Sequence, residues 1–336
     1  MCTIRLGGTD VAFLCASIDT ITRAGLRAGI PMPYECNTGS CGTCKMELVS
    51  GEIDSMRPDA PGLADRDRAK RRILGCQARP TRDCVVKVRV EPPALDEPRP
   101  EHLAATLAAT RQVTHDIREF SFDLAELKPF RPGQYALVHL PGVAAPRPYS
   151  MSNIAGTRNW QFQIKRVPGG QVTTVLFDRL QHGSTIHIDG PYGHAYLRPD
   201  APRDIVCIAG GSGIAPAVSI ARGIAETRSL ADRHVYFFYG GRGPADICGE
   251  DVLTALPQLQ GRYTYVPVIS EPGGCDPESW TGCTGFVHEA VADILGETLP
   301  AYEFYFAGPP AMAVAVQRLL IDAKVPMAQM HFDQFY

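Results

Sequence analysis

Pro33 to Lys45 reads PYECNTGSCGTCK, and its three cysteines, Cys36, Cys41 and Cys44, stand in the spacing C-x4-C-x2-C. A fourth, Cys76, follows after 31 intervening residues. This is the plant-type spacing for a two-iron, two-sulfur cluster. Three thiolates from one loop converge on a small inorganic core only if the backbone wraps it closely. Gly39 and Gly42, between the cysteines, lack the side chains that would hold amide N–H groups away from the sulfurs. Such donors, with burial and net charge, set the reduction potential. Two other uses of cysteine compete. Unpaired thiols often fill cores as small apolar groups, but three within nine residues, interleaved with glycine, pack poorly. Structural zinc prefers two C-x2-C knuckles, and only Cys41 and Cys44 have that form. The spacing therefore names Cys36, Cys41, Cys44 and Cys76 as the metal ligands of a 2Fe–2S cluster.

Around this loop, residues 1–92 read as one module. Thr3–Leu6 and Val11–Cys15 flank the turn Gly7-Gly8-Thr9-Asp10, as in a hairpin. Asp19 reads as the N-cap of a helix carrying Ile21, Ala24, Leu26 and Ala28. Lys45–Val49 and the alternating stretch Cys84–Val90 read as strands. The predicted assembly is a small mixed sheet grasping one helix, with the cluster at its rim. Arg66 to Arg72 reads RDRAKRR. A solvated helix face is its plainer use; a basic docking patch beside the cluster, weakened by salt, is the other.

The 336-residue length calls for two or three domains. Net charge is −3, which gives no overall pull toward nucleic acid or an acidic membrane. No run approaches the roughly 20 apolar residues of a membrane span. Eleven cysteines, an odd and clustered set without an N-terminal apolar run, argue against a secreted disulfide scaffold and for a reducing cytoplasm.

Glu91 to His102 reads EPPALDEPRPEH, four prolines in twelve residues, so 93–102 is expected to be a semi-rigid linker. Short strands with turn signals follow to about residue 200 and favour a barrel: Ile117–Leu124, Tyr135–Leu140, the alternation Trp160, Phe162, Ile164, and Ile186 with Ile188. Arg147-Pro148-Tyr149-Ser150 would suit a ligand with a phosphate, a flat ring and ring heteroatoms, as flavin adenine dinucleotide (FAD) has. Val167-Pro168-Gly169-Gly170-Gln171-Val172-Thr173-Thr174 could present N–H groups to a pyrophosphate. Alone, each reads as ordinary strand or turn; together, downstream of an iron–sulfur motif, they read as a flavin site.

From residue 201 strands alternate with helices, which predicts an open parallel sheet with its ligand at the carboxyl ends of the strands. Asp204–Ala209 runs into Gly210-Gly211-Ser212-Gly213-Ile214-Ala215-Pro216, then a helix. Strand, glycine-rich turn and helix hold a dinucleotide pyrophosphate, although Pro216 stands where the third glycine of G-x-G-x-x-G would be. Gly240-Gly241-Arg242 and Gly308-Pro309-Pro310 close later strands. The chain ends MHFDQFY, and Phe335 or Tyr336 could cover a flavin ring.

With these residues in place, the chain resembles, from end to end, the ferredoxin-fused members of the ferredoxin–NADP reductase superfamily. Among them it is most similar to reductase components of toluene 4-monooxygenase-type diiron monooxygenases, through PYECNTGSCGTCK, PDAPGLADR, GGSGIAP, TGFVHE, AGPPAM and HFDQFY. Reductases of naphthalene-type dioxygenases are similar too, through RPYS, VPGG and AYLR. The resemblance implies a β-grasp ferredoxin domain (1–92), an FAD-binding β-barrel (103–200) and a Rossmann-like α/β nicotinamide domain (201–336). It puts FAD on Arg147, Tyr149, Ser150, Val167, Gly170, Val172 and Thr173, with Ser150 beside the reactive ring nitrogen and Phe335 as lid. It puts NADH, in preference to NADPH, over Gly211, Ser212, Gly213, Gly308 and Pro309. The implied function is an NADH-dependent reductase of an aromatic hydrocarbon monooxygenase, passing electrons through FAD and the cluster to a Rieske ferredoxin or a hydroxylase. A Rieske-type dioxygenase system is the alternative. A non-enzymatic iron–sulfur sensor is the alternative of another class, and would leave the flavin coloured when NADH is added. One departure stands out: Ala307 occupies a position that is cysteine in many relatives.

Overall fold

The computed structural model describes residues 1–90, 98–272 and 280–333. Inward residues of Cys2–Leu6, namely Ile4 and Leu6, alternate with outward Arg5, and the strand turns back into Ala12–Cys15. It also pairs in parallel with Cys84–Lys87, which pairs antiparallel with Lys45–Ser50, which pairs with Arg72–Leu74. This five-stranded mixed sheet grasps the helix Ile21–Arg27, whose Ile21 and Ala24 join Ile4, Leu6, Phe13, Met46 and Val86 in one core.

Two local expectations are corrected. Thr20, not Asp19, is the residue before the helix, and it makes no side-chain cap bond. The Asp19 carboxylate accepts the Thr20 N–H at 2.8 Å and is drawn onto Arg27 at 2.7 Å. The strand expected over Cys84–Val90 stops at Lys87, opposite Glu47, the last residue with a partner; Val88 and Val90 still pack on the core. The basic run is exposed, as both of its readings require: Arg66, Arg68, Lys70, Arg71 and Arg72 stand around a short helix Asp65–Arg68. Asp67 alone turns in, between Lys45 at 3.1 Å and Arg72 at 2.9 Å.

Six antiparallel strands form the barrel, in the order Arg147–Ser150, Tyr135–His139, Thr185–Tyr192, Glu101–Gln112, Ile117–Leu124, Asn159–Lys165. A bridge between Met151 and Phe162 draws the two ends together. Phe120, Phe122, Trp160, Phe162 and Ile188 fill the interior. The strand Glu101–Gln112 begins inside the stretch read as linker, because His102 and Glu101 already pair with Asp189 and Gly190. Residues 91–97 lie outside the described residues.

The last module is a six-stranded sheet, parallel at every pairing, ordered Cys283–Thr284, Tyr263–Ile269, Val235–Gly241, Asp204–Gly210, Tyr302–Ala307, Met330–His331. Its central strands are buried on both faces, which explains their near-continuous apolar sequence. Ile214–Glu226 packs on one face, and Val287–Leu295 with Pro310–Asp322 on the other. Ser219 on the first of these helices donates to the Asn153 carbonyl at 2.6 Å and Arg222 to the Ser152 carbonyl at 2.8 Å, fixing the sheet against the barrel. No helix among the described residues is long and apolar enough to cross a membrane.

Candidate electron-transfer site

The cluster loop is held open around its four thiols. Gly42 has φ +80°, and a Cβ there would lie 2.8 Å from the Gly62 carbonyl, so no other residue allows the same wrap. Thr38 N–H points at Cys36 Sγ at 3.4 Å and Cys41 N–H at 3.5 Å. Cys44 and Cys76 Sγ atoms are 3.2 Å apart, and Gln77 Nε2 donates to Cys76 Sγ at 3.4 Å. The neighbouring Cys41 thiol, with help from Thr38, pushes the Cys36 thiol down to about 4. The Cys44 thiol does the same for Cys76, against burial. The same pairs hold the Cys41 and Cys44 thiols above their ordinary value. Four converging thiols with N–H donors, and no disulfide among the ten described cysteines, form the donor set that an iron–sulfur cluster requires.

Behind the loop stands a residue that the sequence does not reveal. Tyr135, fully buried, donates its hydroxyl to the Glu35 carbonyl and accepts from Asn37 Nδ2 at 3.0 Å. In the barrel sheet Tyr135 lies directly opposite Ser150. One ladder position thus joins the residues flanking Cys36 to the strand of the expected flavin site. Tyr135→Phe is expected to cost about 1–3 kcal/mol, because a buried carbonyl and amide lose this partner. Faster amide hydrogen exchange over Asn37–Cys41, with the barrel core unchanged, is the readout.

Arg147, Tyr149 and Ser150 lie on an end strand of the barrel; Arg147 is exposed, and Tyr149 and Ser150 are half-buried. Burial pushes the Tyr149 phenol above its ordinary range. Val167 is exposed, and Gly170 precedes the short helix Gln171–Thr174. Val172 and Thr173 are buried. The Thr173 hydroxyl donates to the Gly170 and Val167 carbonyls at 3.2 and 3.1 Å, so it is used in closing the turn.

In the parallel sheet, Gly211–Gly213 form a single 3-10 turn between the strand Asp204–Gly210 and the helix Ile214–Glu226. Gly213 lies against the Ala307 carbonyl so closely that a Cβ would collide with it. A Cβ on Gly308 would meet the Met312 sulfur at 2.8 Å. The two turns therefore meet backbone to backbone, Gly213 against Ala307. Ser150 of the barrel, Pro216 of the first helical turn and Ala307 line one cavity, with His331 and Asp333. Asp333 is the second residue missed by sequence. Burial pushes its carboxyl up to about 7, although it accepts the His194 N–H at 3.2 Å. Phe335 and Tyr336 lie outside the described residues.

Three families match in the order of the modules. The 2Fe-2S iron-sulfur cluster binding domain matches residues 4–81, the oxidoreductase FAD-binding domain 104–196 and the oxidoreductase NAD-binding domain 207–318. A ferredoxin–NAD(P)(+) reductase of Metapseudomonas resinovorans is 39% identical, over 96% of this chain and 96% of its own. The chain belongs to the ferredoxin–NAD(P)(+) reductase family. This reductase is also 36% identical to the ferredoxin–NAD(+) reductase component of an alkene monooxygenase system of Xanthobacter autotrophicus, over 96% and 98% of the two chains. The solved ferredoxin reductase in carbazole 1,9a-dioxygenase superposes with a TM-score of 0.89 at 36% identity, covering 100% of this chain and 98% of that one. The reductase is thus an oxidoreductase with a ferredoxin domain, an FAD-binding barrel and an NAD-binding parallel sheet, and the sensor reading falls away.

Proposed function

We propose that the chain carries electrons from NADH to the ferredoxin or oxygenase component of an aromatic hydrocarbon monooxygenase system, and works in the reducing cytoplasm. The observation that carries this reading is the shared cavity of Ser150, Pro216 and Ala307, with Ser150 directly across the ladder from Tyr135 and so from the cluster loop. Two electrons can enter at one end of that arrangement and leave singly at the other. The bound FAD would supply the conversion of a hydride into single electrons, and the 2Fe–2S core the one-electron outlet.

The chain's own residues position these groups. Arg147 would offer a forked cation to a phosphate, Tyr149 an aromatic face to the flat ring and Ser150 a hydroxyl to a ring nitrogen. Val167, Gly170, Val172 and Thr173 shape the turn meant for the pyrophosphate. Gly211, Ser212 and Gly213, with Gly308 and Pro309, admit a nicotinamide dinucleotide against bare backbone. Cys36, Cys41, Cys44 and Cys76 ligate iron. NADH is favoured over NADPH by family resemblance, while the exposed Arg242 at the end of Val235–Gly241, 3.6 Å from the buried Asp246 carboxylate, keeps NADPH open. A Rieske-type dioxygenase system is the second reading, supported by the solved carbazole dioxygenase reductase at equal identity.

Anaerobic titration with each nicotinamide tests the reading. NADH should bleach the flavin and then the cluster; a protein that stays coloured would end it. Ser150→Ala is expected to slow flavin reduction roughly tenfold, the worth of one hydrogen bond, with the iron–sulfur absorbance intact. Stopped-flow reduction at the wild-type rate removes Ser150 from that role.

A further inference from the structure

The cluster loop has two sides of different chemistry. On one, Glu35 and Asn37 meet Tyr135 of the barrel. On the other, Cys44 and Cys76 pack against Ala60, Leu63 and Leu74. Those three residues also form the floor of a groove whose rim carries Arg57, Arg68, Arg71 and Arg72, all exposed. Rim acids offset little of this charge. Asp67 is buried under Arg72, and Arg68 meets Asp65 only in an exposed pair at 3.7 Å, worth little in water. Glu52, also at the groove, pairs with Arg82 at 3.3 Å. The imbalance extends to the whole module. Residues 1–90 carry fourteen Lys and Arg against ten Asp and Glu, a surplus of +4 in a chain whose total is −3, so the remainder carries −7.

We infer that this groove receives the electron acceptor, and that the acceptor is a protein with an acidic patch around its own redox centre. The inference rests on the electron-transfer reading above and names the surface and charge of the partner. An apolar floor with a charged rim is the anatomy of a protein interface, and this floor packs directly on two of the four cluster cysteines, Cys44 and Cys76. The side facing Tyr135 is already occupied by the barrel. Each encounter moves one electron from this chain to the acceptor, with no bond made or broken. A polynucleotide or anionic lipid would use the same arginines but would gain nothing from the floor.

The test uses the holoprotein, with a small, strongly acidic plant-type ferredoxin and basic cytochrome c as acceptors. Flavin reduction by NADH is measured first in wild type; failure there counts against the electron-transfer reading, whereas binding of the oxidised ferredoxin by calorimetry probes the groove independently. In Arg68→Glu/Arg71→Glu, the bimolecular rate and the binding constant for the acidic ferredoxin should each fall roughly tenfold or more, and the salt dependence should flatten. Arg68→Lys/Arg71→Lys should keep both, and cytochrome c should lose nothing. Unchanged rate and affinity with the acidic ferredoxin overturn the inference, as does equal loss with both acceptors. Loss only of binding to phosphatidylserine vesicles or single-stranded DNA overturns it too, and assigns the arginines to another polyanion.

Discussion

Asp189→Asn is expected to destabilise the fold by about 3–5 kcal/mol, the cost of removing one partner from a buried ion pair. Asp189 lies on the barrel strand Thr185–Tyr192 and is completely buried. It faces Arg23 at 3.6 Å, itself 2% exposed, and Arg27, both on the helix of the ferredoxin module. Tyr192 donates to it at 2.8 Å. Asparagine keeps the shape and removes the charge, leaving the buried Arg23 guanidinium without a carboxylate while Arg27 keeps only Asp19, at 2.7 Å. Calorimetry should show the ferredoxin module melting earlier than the barrel, since the substituted contact is one of those that join them, another being Tyr135 with Glu35 and Asn37. Replacing Arg23 and Asp189 together by Met and Leu should recover part of the loss, because Arg27 keeps the Asp19 carboxylate and no buried charge is left without a partner. An Asp189→Asn protein that melts like wild type would show that the network is solvated in solution.

The same junction sets the response to acid. Burial opposes the charge of Asp189, but Arg27 and Arg23 outweigh it and hold the carboxyl below its ordinary value. A group depressed in the fold stabilises fully above its unfolded value, about 3.9, and loses that contribution as pH falls through the folded one. His139, beside it, is pushed down to about 4, first by burial, then by the Arg23 guanidinium and His102, against the pull of Asp189. Its unfolded counterpart takes up a proton near 6.5, so it weakens the fold progressively from about pH 6.5 to 4. The junction should therefore begin to loosen below neutral pH and give way below about pH 4. In Asp189→Asn the second stage should be absent and the first enlarged, because His139 loses the upward pull of Asp189.

What the sequence makes legible is local or periodic. The four cysteines need no distant partner to be read, because their spacing and the intervening Gly39 and Gly42 already describe the loop. The buried strands Asp204–Gly210 and Tyr302–Ala307 announce themselves through unbroken apolar runs between glycine turns. Glu101–Gln112 does not: its inward residues are Leu103, Ala105 and Leu107 among alanines and threonines, and the prolines before it suggest a connector. Asp189, Tyr135 and Asp333 are invisible for another reason. Each is ordinary in its own segment and acquires meaning only from a partner far along the chain, Arg27, Asn37 and His194 respectively. Asp19 shows the same limit on a small scale: its position suits a cap, and an arginine two turns on outbids the helix end.

Gly213→Ala is expected to weaken nicotinamide binding by about five- to hundredfold, the equivalent of about 1–3 kcal/mol of overpacking. The added methyl would point into the Ala307 carbonyl, a backbone atom at the end of a central strand that no rotamer change can move aside. Either the turn Gly211–Gly213 shifts off the sheet or the end of Tyr302–Ala307 does, and each moves that turn relative to Gly308 and Pro309. Gly211→Ala separates this cause from simple backbone strain. Gly211 has φ +55° but only the Lys165 side chain within 4 Å of an added Cβ, so its cost is conformational and near 1 kcal/mol. Titration of both variants with NADH and with NADPH, followed by flavin reduction at saturating nicotinamide, distinguishes the two effects. Loss at Gly213 should appear chiefly as affinity, with Ser150 still facing the same cavity and the iron–sulfur absorbance untouched. Equal affinities in Gly213→Ala and wild type would mean that the two turns are not in contact when the dinucleotide binds. The cavity between Ser150 and Ala307 would then have to open before hydride could cross it.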